Sequence, residues 1–513
     1  MIPARPSNLA NVVSGNPFPE TGNCALARLS SLAILRVGTE SEDVGMNIVL
    51  LVFDSLRKDC VGCFGEPPWG KVHTPHLDRL AEESLVMTRA YPESLPTLPT
   101  RRALYTGQRV YPFDNANFRL KGDFHGAPGW GPIPEEQATL AEMLLDNGYR
   151  TGLIADVYHM FKPSKNYWRG FQQWMFLRGQ EKDPYRSGPM PSQEVIDHWL
   201  PREFQDERRI AFIRQCLMNM HDRVVEEDYF NARVLIESSR WLQQNADADK
   251  FFLVAESFDP HEPWFVPEHY RRMYDASDGP EQVVSNYDAT DDMSAQLLAR
   301  TRANYSGLVT MCDRWFGHFY ETMRALGMLE NTLLIVTADH GHSIGDNNYI
   351  GKRGYPARPE VVDVPLIIRH PDGLGAGKRS DLLMQHTDVS ALILELAGVE
   401  PPAPIHGESF WGRALSDGPP IRDHATVGWG TAVTVVDDQW WFNSKIDASG
   451  GFLYDLAKDP RLHQNVADRH PDQVKRLHEV ALQDAGGSFP DYLLEMCANQ
   501  VDAPGCSALA ARV

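Results

Sequence analysis

NIVLLVF, residues 47–53, is an unbroken apolar run rich in branched side chains. A strand covered on both faces reads this way, because neither of its faces alternates with polar residues. The run stops at Asp54. Downstream, apolar runs of the same kind recur at FFLVAES (251–257), TLLIVTA (332–338) and VPLIIR (364–369). Between them lie stretches with helical spacing. TPHLDRLAEESL (74–85) opens on Thr-Pro, a helix start. EQATLAEMLLDNGY (136–149) leads into the strand RTGLIAD (150–156), and DRVVEEDYFNARVLIESSRWLQQNAD (222–247) reads as one long helix. A longer helical stretch runs from 294 to 326, and DVSALILELAGV (388–399) is a further helix. Strands alternating with helices predict an α/β domain over 46–410, a large mixed, mostly parallel sheet sandwiched by helices. Beyond residue 410 the pattern changes. Residues 425–446 and 452–457 read as short antiparallel strands and 471–485 as one helix, so a smaller C-terminal α+β subdomain with its tail is expected over 411–513.

The chain has 513 residues, 42% of them hydrophobic and 23% charged, an ordinary globular composition. Its formal net charge of −20 disfavours nucleic acid and anionic membrane as partners. Seven scattered cysteines, an odd number, suit reduced thiols in a cytoplasmic protein. Cys60 and Cys63 form a lone C-x-x-C without the second ligand pair that a zinc site needs. Residues 1–45 are rich in Ser, Asn, Pro and Gly and read as a loosely ordered extension, with Met46 standing directly before the first strand as an alternative start. Arg28 and Arg36 break its one apolar stretch, which is too short to span a membrane. The long helices offer surface for homo-oligomerisation.

Three strands end in polar residues: Asp54-Ser55, Asp259-Pro260-His261 and Asp339-His340-Gly341-His342. In open α/β sheets ligands bind beyond the carboxyl ends of strands, so residues far apart in sequence converge there. One such Asp alone is a cap or turn residue; three after strongly apolar strands point to chemistry. A fourth element is SLPTLPTRRALYTG, residues 94–107. Thr97 falls at the start of a helix that Gly107 ends, where free N–H groups and the helix dipole favour an anion, and Arg101 lies one turn later on the same face. Taken alone, Thr97 is an N-cap.

The order MNIVLLVFDSLRKDCVGCFG, HTPHLDRLAEES, TLPTRRALYTG, FDPHEPW, VTADHGHSIGDNNYIGK, DVPLIIRHPDG, QHTDVSALILELAG and FLYDLAKDP resembles the sulfatase branch of the alkaline phosphatase superfamily over roughly residues 46–475. That branch has Cys or Ser as nucleophile, then Pro two residues on, Arg four on and Thr-Gly nine and ten on; Thr97, Pro99, Arg101, Thr106 and Gly107 fit the frame. The resemblance implies an alkaline phosphatase-like fold, with Asp54, Asp339 and His340 as metal ligands and Thr97 as metal-bound nucleophile. It further implies catalytic roles for Arg101 beside the nucleophile, His261 at the leaving group and Lys352 on the non-bridging oxygens. Lys352 alone reads equally as a solvated surface lysine.

Two departures from the family pattern matter. Thr97 cannot become formylglycine, as the family's Cys or Ser does, so a covalent phospho-threonine and a phosphate or phosphonate ester are expected. Asp54-Ser55 and Asp339-His340 replace an all-oxygen set, which favours Mn²⁺ or Zn²⁺, or Fe²⁺, over Ca²⁺. This pattern is nearest to the phosphonate monoester hydrolase/phosphodiesterase subgroup. The expected substrate is a small anionic ester. Alternatives are a sulfatase using unmodified Thr97, a two-metal phosphodiesterase drawing on Asp259, His261 and His386, and a binding protein without catalysis. Specificity is expected from loops 108–135 and 155–220, with Asn115 or Asn117 as contacts.

Overall fold

The structure, a computed structural model, describes residues 45–111 and 128–499. The expected N-terminal extension, Asn115 and Asn117, and the last part of the tail therefore lie outside the described residues. The described residues belong to one compact unit.

In chain order the strands are β1 Asn47–Phe53, β2 Leu85–Tyr91, β3 Arg150–Ala155, β4 Gln173–Phe176, β5 Phe251–Ser257, β6 Asp288–Ala289, β7 Thr332–Ala338 and β8 Ser343–Asp346. They continue as β9 Tyr349–Gly351, β10 Val364–Arg369, β11 Arg379–Ser380, β12 Met384–Gln385, β13 Ala425–Trp429, β14 Ala432–Val436, β15 Trp440–Lys445 and β16 Phe452–Asp455. The main sheet has nine strands in the order β11-β2-β10-β7-β1-β5-β3-β4, with β12 also paired to β2. β1 runs parallel to both β5 and β7, β3 parallel to β5 and β4, and β10 antiparallel to β7 and β2. The sheet is therefore mixed and mostly parallel. Every residue of β1, β5 and β7 is buried, as their continuous apolar sequences require.

Helices cover both faces. Phe230–Gln244, Ala295–Ala325 and Pro75–Glu82 pack together, as do Thr97–Thr106, His386–Ala397 and Leu140–Asp146. The expected long helix over 222–247 is shorter than its sequence suggested. Its first eight residues form a separate turn, in which the Asp228 carboxylate accepts from the backbone N–H of Val224 and Val225. Residues 155–220, expected as a loop, contain two helices, Gln193–Trp199 and Glu207–Asn219, each capped by the preceding Ser192 or Asp206.

β13 to β16 form a separate four-stranded antiparallel sheet, against which the helix Pro471–Asp484 packs. Its first strand is tied to the segment ahead of Thr97: Leu95 N–H donates to Gly428 O (2.9 Å) and Gly428 N–H to Glu93 O (3.1 Å). Among the described residues, no helix is long and apolar enough to cross a membrane.

Candidate active site

β7, β1 and β5 are adjacent, and their ends are level: Phe53 pairs with both Ser257 and Ala338. The next residues along each strand, Asp54, Phe258 through His261, and Asp339-His340, therefore leave the sheet side by side. Ser55 turns the first chain sharply, with φ at 63°. That turn is locked from both sides. The Ser55 N–H donates to Asp339 Oδ1 (3.0 Å), and its carbonyl accepts from the Tyr305 hydroxyl (2.8 Å), which in turn accepts from the Arg57 N–H. Gly341 is required where it stands, because a side chain there would collide with the Glu360 carbonyl oxygen.

Asp54, Asp339 and His340 each offer a ligand atom, and these atoms lie within 4.8 Å of one another. All three side chains are buried. The set fits a divalent cation. Asp54 Oδ2 and His340 Nε2 accept and donate no hydrogen bond although both are sealed from solvent. The His340 Nδ1 faces the Gly341 carbonyl (2.9 Å), leaving Nε2 as the lone-pair nitrogen that a metal takes. Burial and the facing Asp339 carboxylate push Asp54 well above its ordinary range. Burial would raise Asp339 as well, but His340 and Arg101 outweigh it and hold Asp339 below its ordinary range.

Thr97 is the first residue of its helix, which ends at Gly107 in the left-handed conformation (φ 65°). Pro96 occupies the N-cap position, so Thr97 is not the cap, and its hydroxyl makes no hydrogen bond among the described residues. Arg101 Nη1 donates to the Thr97 carbonyl (3.1 Å) and to Asp339 Oδ2 (2.6 Å), which ties residue 97 to the trio. The same nitrogen lies 3.1 Å from Asp54 Oδ2, while Nε donates to Glu256 Oε2 (2.9 Å). Glu256 also accepts from the Tyr105 hydroxyl (2.8 Å). Arg101 is thus engaged by carboxylates on all sides. Its Nη2 lies 2.9 Å from Glu256 Oε2 but donates no hydrogen bond among the described residues.

Lys352 is inside, not on the surface: it is 5% exposed and its Nζ lies 2.5 Å from His261 Nε2. It follows β9 of a small three-stranded sheet, β6-β9-β8, and so reaches the end of β5 from a different layer. The other His261 nitrogen faces the Glu262 carbonyl at 2.5 Å. Burial, then the Lys352 charge, holds His261 well below its usual range, so the ring is neutral at neutral pH. Asp259 points away, accepting from Gln180 Nε2 and the Asn231 N–H, and His386 lies against Thr337. Among the described residues, Asp54, Asp339 and His340 are the cluster that could hold a metal ion, and Asp259, His261 and His386 do not form a second one.

Glu256 and Glu181 escaped the sequence reading. Glu256 left a signal, an acid inside an otherwise apolar strand. Glu181, whose Oε1 lies 3.8 Å from His261 Nδ1, left none, because it sits in a stretch without periodicity.

The sequence profile of the family described as Sulfatase matches residues 46–399. The chain is 24% identical over 482 residues to an arylsulfatase of Clostridium perfringens, covering 87% of this chain and 95% of that protein. It is 26% identical over 415 residues to a multifunctional alkaline phosphatase superfamily protein, PehA, of Trinickia caryophylli, covering 71% and 76%. Among solved structures, the phosphonate monoester hydrolase of Agrobacterium radiobacter superposes with a TM-score of 0.62 at 22% identity, covering 90% of this chain and 97% of that one. With the fold, the level strand ends and the buried trio, these matches make the chain a member of the Sulfatase family within the alkaline phosphatase-like superfamily, a hydrolase of ester bonds.

Proposed function

We propose that the protein hydrolyses a small phosphate-type ester, a phosphodiester, phosphonate or phosphate monoester, through a covalent phospho-threonine on Thr97. The observation that carries this reading is the identity of residue 97 in its setting. A threonine whose hydroxyl caps nothing begins a helix at the trio, and threonine cannot supply a formylglycine hydrate. A divalent cation held by Asp54, Asp339 and His340 would lower the pKa of the Thr97 hydroxyl and polarise the ester.

Thr97, its hydroxyl proton lost to solvent beforehand, attacks phosphorus as the alkoxide; the Thr97 O–P bond forms and the ester P–O bond opposite it breaks. Arg101 holds Thr97 and Asp339 in register for that attack. The Lys352–His261 pair carries one proton between Nζ and Nε2, and the departing alkoxide takes it. While it still holds that proton, the Lys352 ammonium places its positive charge by the non-bridging oxygens, where such charge contributes most. Water then cleaves the phospho-threonine and restores the proton to the pair.

A sulfate ester is the second reading, favoured by the similarity to an arylsulfatase over nearly that protein's whole length. Rates on aryl phosphate, phosphodiester, phosphonate and sulfate measured side by side separate the two. The phosphorus esters should turn over faster; a dominant sulfatase rate overturns the first reading. Thr97→Ala should lower turnover by on the order of 10³-fold or more while leaving bound metal, measured by elemental analysis, unchanged. Near-normal rates in that variant would remove Thr97 from the mechanism. Chelation should abolish activity, and Mn²⁺ or Zn²⁺ should restore it better than Ca²⁺.

A further inference from the structure

Glu262 directly follows the histidine of the proton-carrying pair and is itself buried. It offers two acceptors to the same ring nitrogen. Its carbonyl faces His261 Nδ1 at 2.5 Å, and its carboxylate Oε2 lies 3.3 Å from that nitrogen. The carbonyl takes the Nδ1 proton, which leaves Nε2 as the lone-pair nitrogen facing Lys352 Nζ. The carboxylate oxygen is left over. Oε2 is sealed from solvent and makes no hydrogen bond among the described residues, with His261 Nδ1 on one side and His342 Nδ1 (3.4 Å) on the other.

Both groups are held where they stand. Phe258 stacks on the His261 ring, with centroids 4.0 Å apart and planes 23° from parallel. The Tyr287 hydroxyl donates to Glu262 Oε1 (2.5 Å). Tyr287 immediately precedes β6 and Lys352 immediately follows β9, and these two strands pair, so one small sheet delivers both the lysine and the clamp on Glu262. Burial raises Glu262 above its ordinary range, and the Lys352 charge is the largest influence drawing it back towards the carboxylate. Glu181, the other acid near the ring, is more distant, at 3.8 Å from Nδ1, and its second oxygen lies 3.5 Å from His159 Nε2. A fixed carboxylate oxygen without a hydrogen bond acts on its neighbours through its charge. When the shared proton sits on Nε2 the ring is a cation, and Oε2 faces its far nitrogen across a medium that screens little.

We propose that Glu262 is a positioning residue for the proton-donating pair, its carboxylate, clamped by Tyr287, balancing the positive charge that Lys352 and His261 share. The proposal rests on the ester-hydrolase reading with that pair at the leaving group. Phenyl phosphate and dinitrophenyl phosphate test it, because the weakly basic dinitrophenoxide departs without a proton and the more basic phenoxide needs one. The matching sulfate pair is run alongside, so that the comparison holds for either ester class. Glu262→Gln keeps the shape and removes the charge. Its kcat/KM should fall about tenfold or more further on the phenyl ester than on the dinitrophenyl ester. Glu262→Asp keeps the charge and should recover part of that difference. Equal losses on the two esters, no loss on either, or an Asp variant no better than Gln overturns the proposal. Urea unfolding of the metal-loaded protein supplies a readout without substrate. Glu262→Gln should cost more stability in the wild-type background than in Lys352→Met, because the charge that it balances is absent from the second. Equal effects in the two backgrounds overturn the assignment. Failure of the wild type to turn over any of the esters, with that coupling intact, would count against the reaction and not against the hold of Glu262 on the pair.

Discussion

Arg101 is a cation with no exposed surface, and three carboxylates, those of Glu256, Asp339 and Asp54, surround it. A charge so placed is held by its partners, and removing it leaves them facing one another in a medium that cannot solvate them. A divalent cation held by Asp54, Asp339 and His340 would balance the first two, which would leave Glu256 as the carboxylate that depends on Arg101. Arg101→Met in the metal-loaded protein should therefore cost about 3–5 kcal/mol of stability, read from urea unfolding. Adding Glu256→Gln should recover part of that loss, since a neutral amide keeps the Tyr105 contact without a stranded charge. Strictly additive losses in the double variant would show that Glu256 and Arg101 are not coupled. The same residue shows where a sequence reading stops. The spacing from Thr97 placed Arg101 on the same helix face as Thr97, but only the fold shows that three protein carboxylates surround its guanidinium.

At the scale of elements, the strands were legible and the helix ends partly so. β1, β5, β7 and β10 coincide with their apolar runs because a strand buried on both faces needs apolar residues throughout. The helix Ala295–Ala325 begins where Ser294 caps it, its hydroxyl accepting from the Leu297 N–H (3.1 Å). The helix Glu207–Asn219 was missed although Asp206 announces it, because its charged residues dilute the apolar stripe. The helix Pro75–Glu82 shows a kind of capping that sequence cannot reveal. Its own N-cap, Thr74, gives no side-chain cap bond. Instead Asp313, from the middle of the long helix, accepts from the N–H groups of Leu77 (2.7 Å) and His76 (3.1 Å). One carboxylate thus ties two helices of the same layer together. Asp313→Ala should cost about 1–3 kcal/mol, the loss expected when buried donors are left without an acceptor, and hydrogen exchange should speed up first at His76 and Leu77. A global loss with no local change in exchange would mean that Asp313 acts through packing and not as a cap.

At the scale of the whole molecule, what was legible is the set of residues that leave the ends of β1, β5 and β7, because apolar strands stop abruptly there. What was not legible is the burial that decides their protonation. His261, His340, His342 and His386 are all nearly or fully sealed from solvent, and burial is the largest cause holding each below its ordinary range, with His340 and His386 down to about 4. An unfolded histidine takes up a proton below about pH 6.5, and the buried His386 does so only near 4. Between those values the unfolded chain binds more protons, so stability falls as pH falls, by about 1.4 kcal/mol per pH unit for each such ring. Asp156 works in the opposite sense. Burial and the nearby Asp259 push it up to about 8, so folding takes up a proton there and favours the acid side. The net slope mixes both, and a difference measurement isolates one ring. His386→Asn removes a titrating group that contacts Thr337 and lies outside the trio of Asp54, Asp339 and His340. Urea unfolding of both proteins in the same chelator-free buffers should give a stability difference that is flat above pH 6.5. Below it the wild type should lose stability faster than the variant, by about 1.4 kcal/mol per unit down to pH 4. Parallel curves across that window would mean that His386 is charged in the fold and that its burial does not control its proton.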